Sequence, residues 1–388
     1  MIRAFRALAA LAAASVALAA TPAERKIDLA KSEIAKEPGR AGPYNALAMA
    51  LASRARETGD PRYYAQGEEA VARSLKNEPG NLEGLRAQVW LSLGQHQFDK
   101  AREQAVALNK KVPDDLLTYA FLVDANAELG RYDEAEKAAQ WLLDMRPGNV
   151  LGLTRAAYLR ELFGDLEGAL EMMNKAFQRT DPAETEDQAW ILAHVSHLQL
   201  LMGQIEVADA AAQEALRLFP KYHYALGSLG KVRMQQGRYQ DAVEFYRRLH
   251  QEAPHPENLY ELGKALLAAG EAEEAAKVFA RFESEARGEM KGPDNSNREL
   301  VFYYVDVARK PEEALRVAEL EISRRKDVYT LDAYAWALFA AGKVQEADTQ
   351  MKQALKVGVK DPGVLSHARA ILEKLKAGSE TNSRASVQ

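Results

Sequence analysis

Residues 226–254 read LGSLGKVRMQQGRYQDAVEFYRRLHQEAP. Apolar and small residues recur at helical intervals on both sides of Gly237, which indicates two amphipathic helices joined by a turn. Gly237 can take the left-handed conformation that ends a helix at little steric cost. Ala242 is small enough to let the second helix cross closely over the first, and Pro254 cannot continue a helix. The stretch therefore predicts one closed helical hairpin.

The same pattern recurs along the 388-residue chain as three ladders with a period near 34 residues. The turn glycines are Gly59, Gly94, Gly130, Gly164, Gly203, Gly237, Gly270 and Gly342. The small residues are Gly67, Ala101, Ala135, Ala169, Ala208, Ala242, Ala275, Ala314 and Ala347. The closing prolines are Pro79, Pro113, Pro147, Pro182, Pro220 and Pro254. One repeat, which contains Ala314, lacks a turn glycine. Three ladders in phase predict one elongated repeat body instead of several globular domains.

This period and these ladders resemble the tetratricopeptide repeat, over roughly residues 24–376. The resemblance implies an all-α, right-handed superhelical solenoid of about nine helix-turn-helix repeats, which we place at residues 20–376. We expect short helices at residues 24–36 and 363–376 to cap the apolar faces at the two ends. Residues 377–388 are small and polar, and we expect a disordered tail there.

The first nineteen residues have the composition of a Sec-type signal peptide. Arg3 and Arg6 precede an apolar run over residues 7–18, and Ala17 and Ala19 give the small-x-small pattern of a cleavage site. The alternative is an uncleaved membrane anchor, but the run is shorter than the ~20 apolar residues that a spanning helix needs. We therefore expect a periplasmic or secreted protein.

Composition excludes several classes of function. The chain has no cysteine, so it has no lipid-modified N-terminal cysteine, no disulfide, no thiolate metal site and no cysteine nucleophile. The formal net charge is −5, and loss of Arg3 and Arg6 with the signal makes it more negative. Nucleic acids and anionic membranes favour basic patches, so neither is an expected partner.

Enzyme motifs are also missing, and no Walker loop, zinc-protease helix or nucleophile elbow is present. His194 and His197 are three residues apart on a predicted helix, but two imidazoles without a clearly facing carboxylate rarely hold zinc. We therefore predict no catalytic residue, no cofactor and no metal.

Two junctions between hairpins carry about five extra residues each. We name residues 181–189 the first insertion and residues 287–298 the second insertion. Both are predicted to project from the same edge of the solenoid. They are either tolerated surface loops or contacts to a partner.

Stacked hairpins present a concave surface lined by their first helices. Alignment of the repeats places aromatic and charged side chains at the inward positions, with Asp124, Glu299 and Asp332 among them. The candidate partner-binding residues are Tyr158, Trp190, His197, Tyr224, Lys231, Tyr260, Lys264, Tyr303, Tyr329, Trp336 and Phe339. Aromatic rings among charges suit protein binding, because they give a large contact area at little cost in rotamer entropy. The alternative is that the rings pack between neighbouring helices.

The sequence thus predicts a non-enzymatic interaction scaffold that acts outside the cytoplasm and binds a peptide or helix of a partner protein in its concave groove. Aromatic grooves also stack on sugar rings. Binding of a glycan or a cell-wall fragment is therefore the alternative.

Overall fold

The computed structural model describes the backbone of residues 20–385 and the side chains of residues 20–377. This part forms twenty α-helices and contains no β-strand. In chain order they are α1 (Pro22–Lys36), α2 (Ala41–Thr58), α3 (Arg62–Asn77), α4 (Leu82–Gly94), α5 (Phe98–Lys111), α6 (Leu116–Glu128), α7 (Tyr132–Met145), α8 (Val150–Leu162), α9 (Leu166–Arg179), α10 (Thr185–Leu201), α11 (Ile205–Leu218), α12 (His223–Gln235), α13 (Tyr239–Glu252), α14 (Pro256–Ala268), α15 (Ala272–Glu289), α16 (Asn297–Phe302), α17 (Pro311–Ile322), α18 (Val328–Ala340), α19 (Val344–Leu355) and α20 (Pro362–Ala385). A π-helix over Tyr303–Val307 continues α16.

Within residues 20–385, the helices from α2 to α19 pair into nine hairpins, and α1 and α20 cover the two ends. This confirms the all-α solenoid of about nine repeats. The last helix continues into residues 377–385, where the sequence predicts a tail. The predicted signal peptide, residues 1–19, lies outside the described residues. No helix in the described part is long and apolar enough to cross a lipid bilayer.

The small-residue ladder lies where the two helices of each hairpin cross. Its eight alanines have no exposed surface: Ala101, Ala135, Ala169, Ala208, Ala242, Ala275, Ala314 and Ala347. Gly67 takes the same place in the first hairpin, and a Cβ atom there would lie 2.6 Å from Leu91 Cδ2. Close helix crossing therefore explains this ladder.

The turn glycines adopt the expected left-handed conformation, with two exceptions along the chain. Gly94 ends α4 in a helical conformation, and His96 takes the left-handed conformation in its place, with φ of 56°. Gly94 has a packing role, because a Cβ atom there would lie 2.4 Å from the ring of Tyr64. In the repeat without a turn glycine, Arg309 adopts the left-handed conformation, also with φ of 56°.

The superhelix is wound so tightly that hairpins about six repeats apart touch each other. His255 Nε2 donates a hydrogen bond to the carbonyl oxygen of Gly59. The backbone N–H of Val328 donates a 2.8 Å hydrogen bond to the hydroxyl oxygen of Tyr132. Each pair is separated by 196 residues. We call this line of contact between successive superhelical turns the seam.

Two turn glycines show how closely the backbones approach at the seam. A Cβ atom on Gly130 would lie 2.4 Å from the carbonyl oxygen of Lys326, and one on Gly164 would lie 2.3 Å from that of Gly358. Any side chain at these two positions would push the turns apart.

An apolar cluster also crosses the seam. It joins Val123 and Leu162 on one side to Val328, Leu331 and Val359 on the other, and all five side chains are buried. Burial of apolar area is the main favourable term in packing, so the contact between turns belongs to the core of the molecule.

The two insertions lie at the seam. In the first insertion, Glu184 forms a 2.7 Å ion pair with Lys26 of α1. In the second insertion, Asp294 lies 3.1 Å from His96 Nδ1, in the turn between α4 and α5. Both insertions therefore contact the preceding superhelical turn of the same chain.

Candidate functional site

Where successive turns meet at the seam, the concave side of the solenoid forms an interior cavity of about 530 Å³ that is partly open to solvent. One wall comes from α2, α3 and the turn after α4, and the opposite wall comes from α10, α12, α14 and the second insertion. Because these walls are far apart in sequence, the cavity exists only when the turns are in contact. Its volume lies within the range of small-ligand sites, roughly 300 to 1,000 Å³. We call it the interior cavity.

Four of the predicted binding residues meet in the interior cavity: Trp190, His197, Tyr224 and Lys231. Tyr224 is 45% exposed, although it faces the inside of the superhelix. Tyr64 of α3, which was not predicted from the sequence, joins them from the opposite wall. The cavity therefore combines accessible aromatic rings from two superhelical turns.

Tyr260 and Tyr303 are core residues, with 6% and 8% of their surface exposed. Their rings pack on Phe279 and Phe282, with centroid distances of 5.3 Å for Tyr303 and Phe279 and 5.5 Å for Tyr260 and Phe282. They offer little surface to a partner. For these two residues the alternative applies, namely that the rings pack between neighbouring helices. Helical spacing alone does not separate a ring that points into the groove from one that points between two helices.

Three further predicted residues lie outside the interior cavity. Lys264 forms a 3.0 Å ion pair with Glu261. Tyr158 donates a 3.3 Å hydrogen bond to Glu128, and Tyr329 is partly buried at the start of α18. Burial is the largest of the effects that raise the pKa of both tyrosines. Both hydroxyls therefore stay protonated at neutral pH.

Trp336 and Phe339 form a separate aromatic group beneath α20. The indole of Trp336 stacks on His367 at a centroid distance of 4.2 Å and on Phe339 at 5.1 Å. Its N–H donates a 3.0 Å hydrogen bond to Asp306. The predicted residues thus fall into several places, and the interior cavity holds the largest set.

His194 and His197 face a carboxylate that was not predicted from the sequence. Glu161, from the preceding repeat, accepts hydrogen bonds from their Nε2 atoms at 2.7 and 3.0 Å. Burial would raise the pKa of Glu161, but the two histidines outweigh burial and lower it to about 2. No group of histidines and carboxylates in the part of the chain that the structure describes is arranged to hold a metal ion.

Arg56 is a second residue of the cavity wall that was not predicted from the sequence. Its guanidinium forms ion pairs with Glu186 and, at 2.6 Å, with Asp187, both in the first insertion. Its carbonyl oxygen accepts a 2.8 Å hydrogen bond from His223 Nε2. Burial opposes the charge of Arg56, but the neighbouring carboxylates raise its pKa, so the arginine stays charged. Nothing in the local pattern of α2 marks this arginine, because its partners lie 130 residues away.

The sequence matches family models described as tetratricopeptide repeat at residues 86–148, 122–184 and 197–256, and a further tetratricopeptide repeat model at residues 233–289. These matches follow the ladders through the middle of the solenoid. The chain is a tetratricopeptide repeat protein. No curated protein sequence matches it.

Solved structures share the fold. A chain of the APC/C hetero-tetramer Cut9–Hcn1 superposes with a TM-score of 0.54 at 13% identity, over 90% of this chain and 58% of that chain. A human IFIT1 dimer with PPP-AAAA superposes with a TM-score of 0.50 at 11% identity, over 86% of this chain and 94% of that chain. The present chain therefore spans little more than half the length of the Cut9–Hcn1 chain. At these identities the likeness concerns the fold alone.

Proposed function

We propose that this protein is a non-enzymatic interaction scaffold that binds a peptide or helix of a partner protein on the inner side of its superhelix. The tetratricopeptide repeats of this chain support a role as a protein-interaction scaffold. The observation that carries the proposal is the exposure of Tyr224, which is 45% accessible inside a cavity that also contains Trp190 and Tyr64. Accessible aromatic rings in a concave site are typical anchors for a partner.

The size of the interior cavity limits what can bind inside it. A cavity of about 530 Å³ has room for a short segment of a few residues. A longer segment or a helix needs the turns to separate first. The scaffold therefore either captures the tip of a partner's chain or opens its seam on binding.

We place this activity outside the cytoplasm. The basic start, the apolar run and the small-x-small site of residues 1–19 support export by the Sec route. Mass spectrometry of the N-terminus, on protein recovered from cell fractions, tests this. We expect a mature chain that begins near residue 20 in the periplasmic or secreted fraction, and an intact Met1 in the cytoplasmic fraction would contradict it.

The test of the scaffold is affinity capture from envelope extracts with the variant W190A/Y224A. We expect the variant to lose the protein that the wild type captures while its far-UV circular dichroism stays helical. The variant Y224A alone is the safer second reagent, because its ring is largely outside the core. The matched control is Y239A, since Tyr239 is 39% exposed on α13 and lies outside the cavity. Equal capture by all variants would overturn the proposal.

The size of the cavity also suits the second candidate, a glycan or cell-wall fragment stacked on Trp190 or Tyr224. A ligand that binds the folded state raises the melting temperature by mass action. Thermal shift against a saccharide panel therefore separates the candidates. Stabilisation of the wild type but not of Y224A by a saccharide would favour this one, and no shift with any saccharide would exclude it.

A further inference from the structure

The interior cavity has more negative than positive side chains. Its carboxylates are those of Glu257, Glu261, Glu289, Asp294 and Glu299, and its basic side chains other than histidine are those of Arg56 and Lys231. This imbalance is local, because the chain as a whole carries a formal net charge of only −5.

Some of these charged groups already have partners inside the protein. Glu261 forms an ion pair with Lys264, and Asp294 lies 3.1 Å from His96 Nδ1. Arg56 is paired with the two carboxylates of the first insertion, which offset its charge.

Three carboxylates remain, those of Glu257, Glu289 and Glu299, and none of them forms an ion pair within the described residues. Lys231 is the one ammonium of the cavity wall without an ion pair in that part of the chain. The cavity wall thus has an excess of negative charge without ion-pair partners.

Glu257 and Glu299 line the same cavity. Burial and the negative charge of Glu299 raise the pKa of the Glu257 carboxyl, against the smaller opposing effects of His255 and Arg298. Tyr224 lines the same cavity as these two carboxylates. Two repelling carboxylates therefore share the cavity with an exposed aromatic ring.

We propose that the interior cavity binds a lysine or arginine side chain of the partner's segment, with its cation between Glu257 and Glu299 and against the ring of Tyr224. A cation there relieves the repulsion between the two carboxylates. It also interacts favourably with the face of the tyrosine ring. This inference rests on the proposed function, because it names the chemistry of the segment that the scaffold holds.

The test is calorimetric titration of the full-length mature protein with three capped pentapeptides, acetyl-Ala-Ala-X-Ala-Ala-amide, in which X is lysine, norleucine or glutamate. Norleucine keeps most of the apolar stem of lysine and lacks the charge. We expect the lysine peptide to bind at least about tenfold more tightly than the norleucine peptide, and the preference to weaken as salt is added. We expect no binding of the glutamate peptide.

Two variants assign the preference to the proposed residues. E257Q/E299Q removes both charges and is expected to abolish the preference for lysine while the melting temperature stays the same or rises, since a repulsion is removed. K231M removes the competing ammonium and is expected to strengthen binding of the lysine peptide. The matched control is E134Q/E136Q, because both of its carboxylates are exposed on α7 and lie outside the cavity.

Equal binding of the lysine and norleucine peptides, no binding of either, or an unchanged preference in E257Q/E299Q would each overturn the inference. Equal affinity for free spermidine and for the peptide would also overturn it, since the occupant would then not be a peptide. If capture of the natural partner depends on Tyr224 but not on Glu257 and Glu299, the proposed scaffold function is supported and the proposed cation site is wrong. If capture depends on none of the three residues, both proposals are wrong.

Discussion

The backbone N–H of Val328 donates its hydrogen bond to the hydroxyl oxygen of Tyr132, across a separation of 196 residues. Val328 is the first residue of α18, so this N–H has no partner within its own helix. A side chain from the previous superhelical turn satisfies it instead. The relationship shows that the turns are joined by specific polar contacts as well as by apolar packing.

The variant Y132F should therefore destabilise the fold by roughly 1 to 2 kcal/mol, because it keeps the ring and leaves a buried N–H without an acceptor. The matched control is Y239F. Tyr239 occupies the same place in an identical Gly-Arg-Tyr turn, but its ring is exposed at the surface. Chemical denaturation of both variants checks the prediction, and equal stabilities would mean that the seam hydrogen bond contributes nothing.

A second prediction concerns the two glycines of these turns. Gly130 and Gly237 have nearly the same left-handed backbone, with φ of 71° and 70°. Alanine at either position costs roughly 1 kcal/mol in backbone strain. At Gly130 the added Cβ would also meet the carbonyl oxygen of Lys326, whereas at Gly237 nothing lies within 4 Å.

We therefore expect G130A to lose roughly 2 kcal/mol more than G237A, the size of a moderately severe core substitution. We also expect the seam to open, which small-angle X-ray scattering would report as a larger radius of gyration for G130A alone. Identical scattering and stability for the two variants would show that the turns are not in contact in solution.

These two turns also show what the sequence could predict. Gly237 and Ala242 act through contacts within one hairpin, so local spacing was enough to find the helices, their turns and the crossing points. The seam has no such signal. Residues 130–132 and 237–239 have the same letters, but one turn meets another turn of the superhelix and the other faces solvent. The difference comes from small rotations summed over about six repeats, which no single repeat encodes.

The candidate site was predictable to the same extent. Trp190 and Tyr224 follow from the inward positions of the first helices, and both reach the interior cavity. Tyr260 follows the same reasoning and is buried against Phe282. Arg56 could not be found, because its role depends on the first insertion, which reaches it only across the seam.

A third prediction concerns the pKa of His223 and its effect on stability at low pH. Burial, with smaller contributions from the charges of His255 and Arg56, lowers the pKa of His223 to about 4. In the unfolded chain its pKa is about 6.5. Between these two values the unfolded state binds the proton and the folded state does not, so stability falls as the pH drops from about 6.5 to 4.

The variant H223Q keeps a donor for the carbonyl oxygen of Arg56 and cannot be protonated. We expect it to match the wild type at pH 7.5 and to lose less stability on acidification, by at most about 3 kcal/mol at pH 4. Thermal unfolding of both proteins across this pH range measures the difference. Parallel pH profiles would show that His223 is not titrated in this window.

The last prediction concerns the ion pair between Arg56 and Glu186. The Glu186 side chain is 8% exposed, and it also accepts a hydrogen bond from the hydroxyl of Tyr222. Removing the arginine leaves a nearly buried carboxylate without its counter-ion, which costs far more than the pair itself contributes. We expect R56M to destabilise the protein by about 2 kcal/mol or more.

The double variant R56M/E186Q should recover part of this loss, because the neutral amide keeps an acceptor for Tyr222 and has no charge to leave unpaired. Denaturation of the two single variants and the double variant gives the coupling energy of the pair. If the losses of the single variants simply add, the two residues act independently. The first insertion would then not be held to α2 through this pair, and the wall of the interior cavity would depend on the apolar cluster of the seam instead.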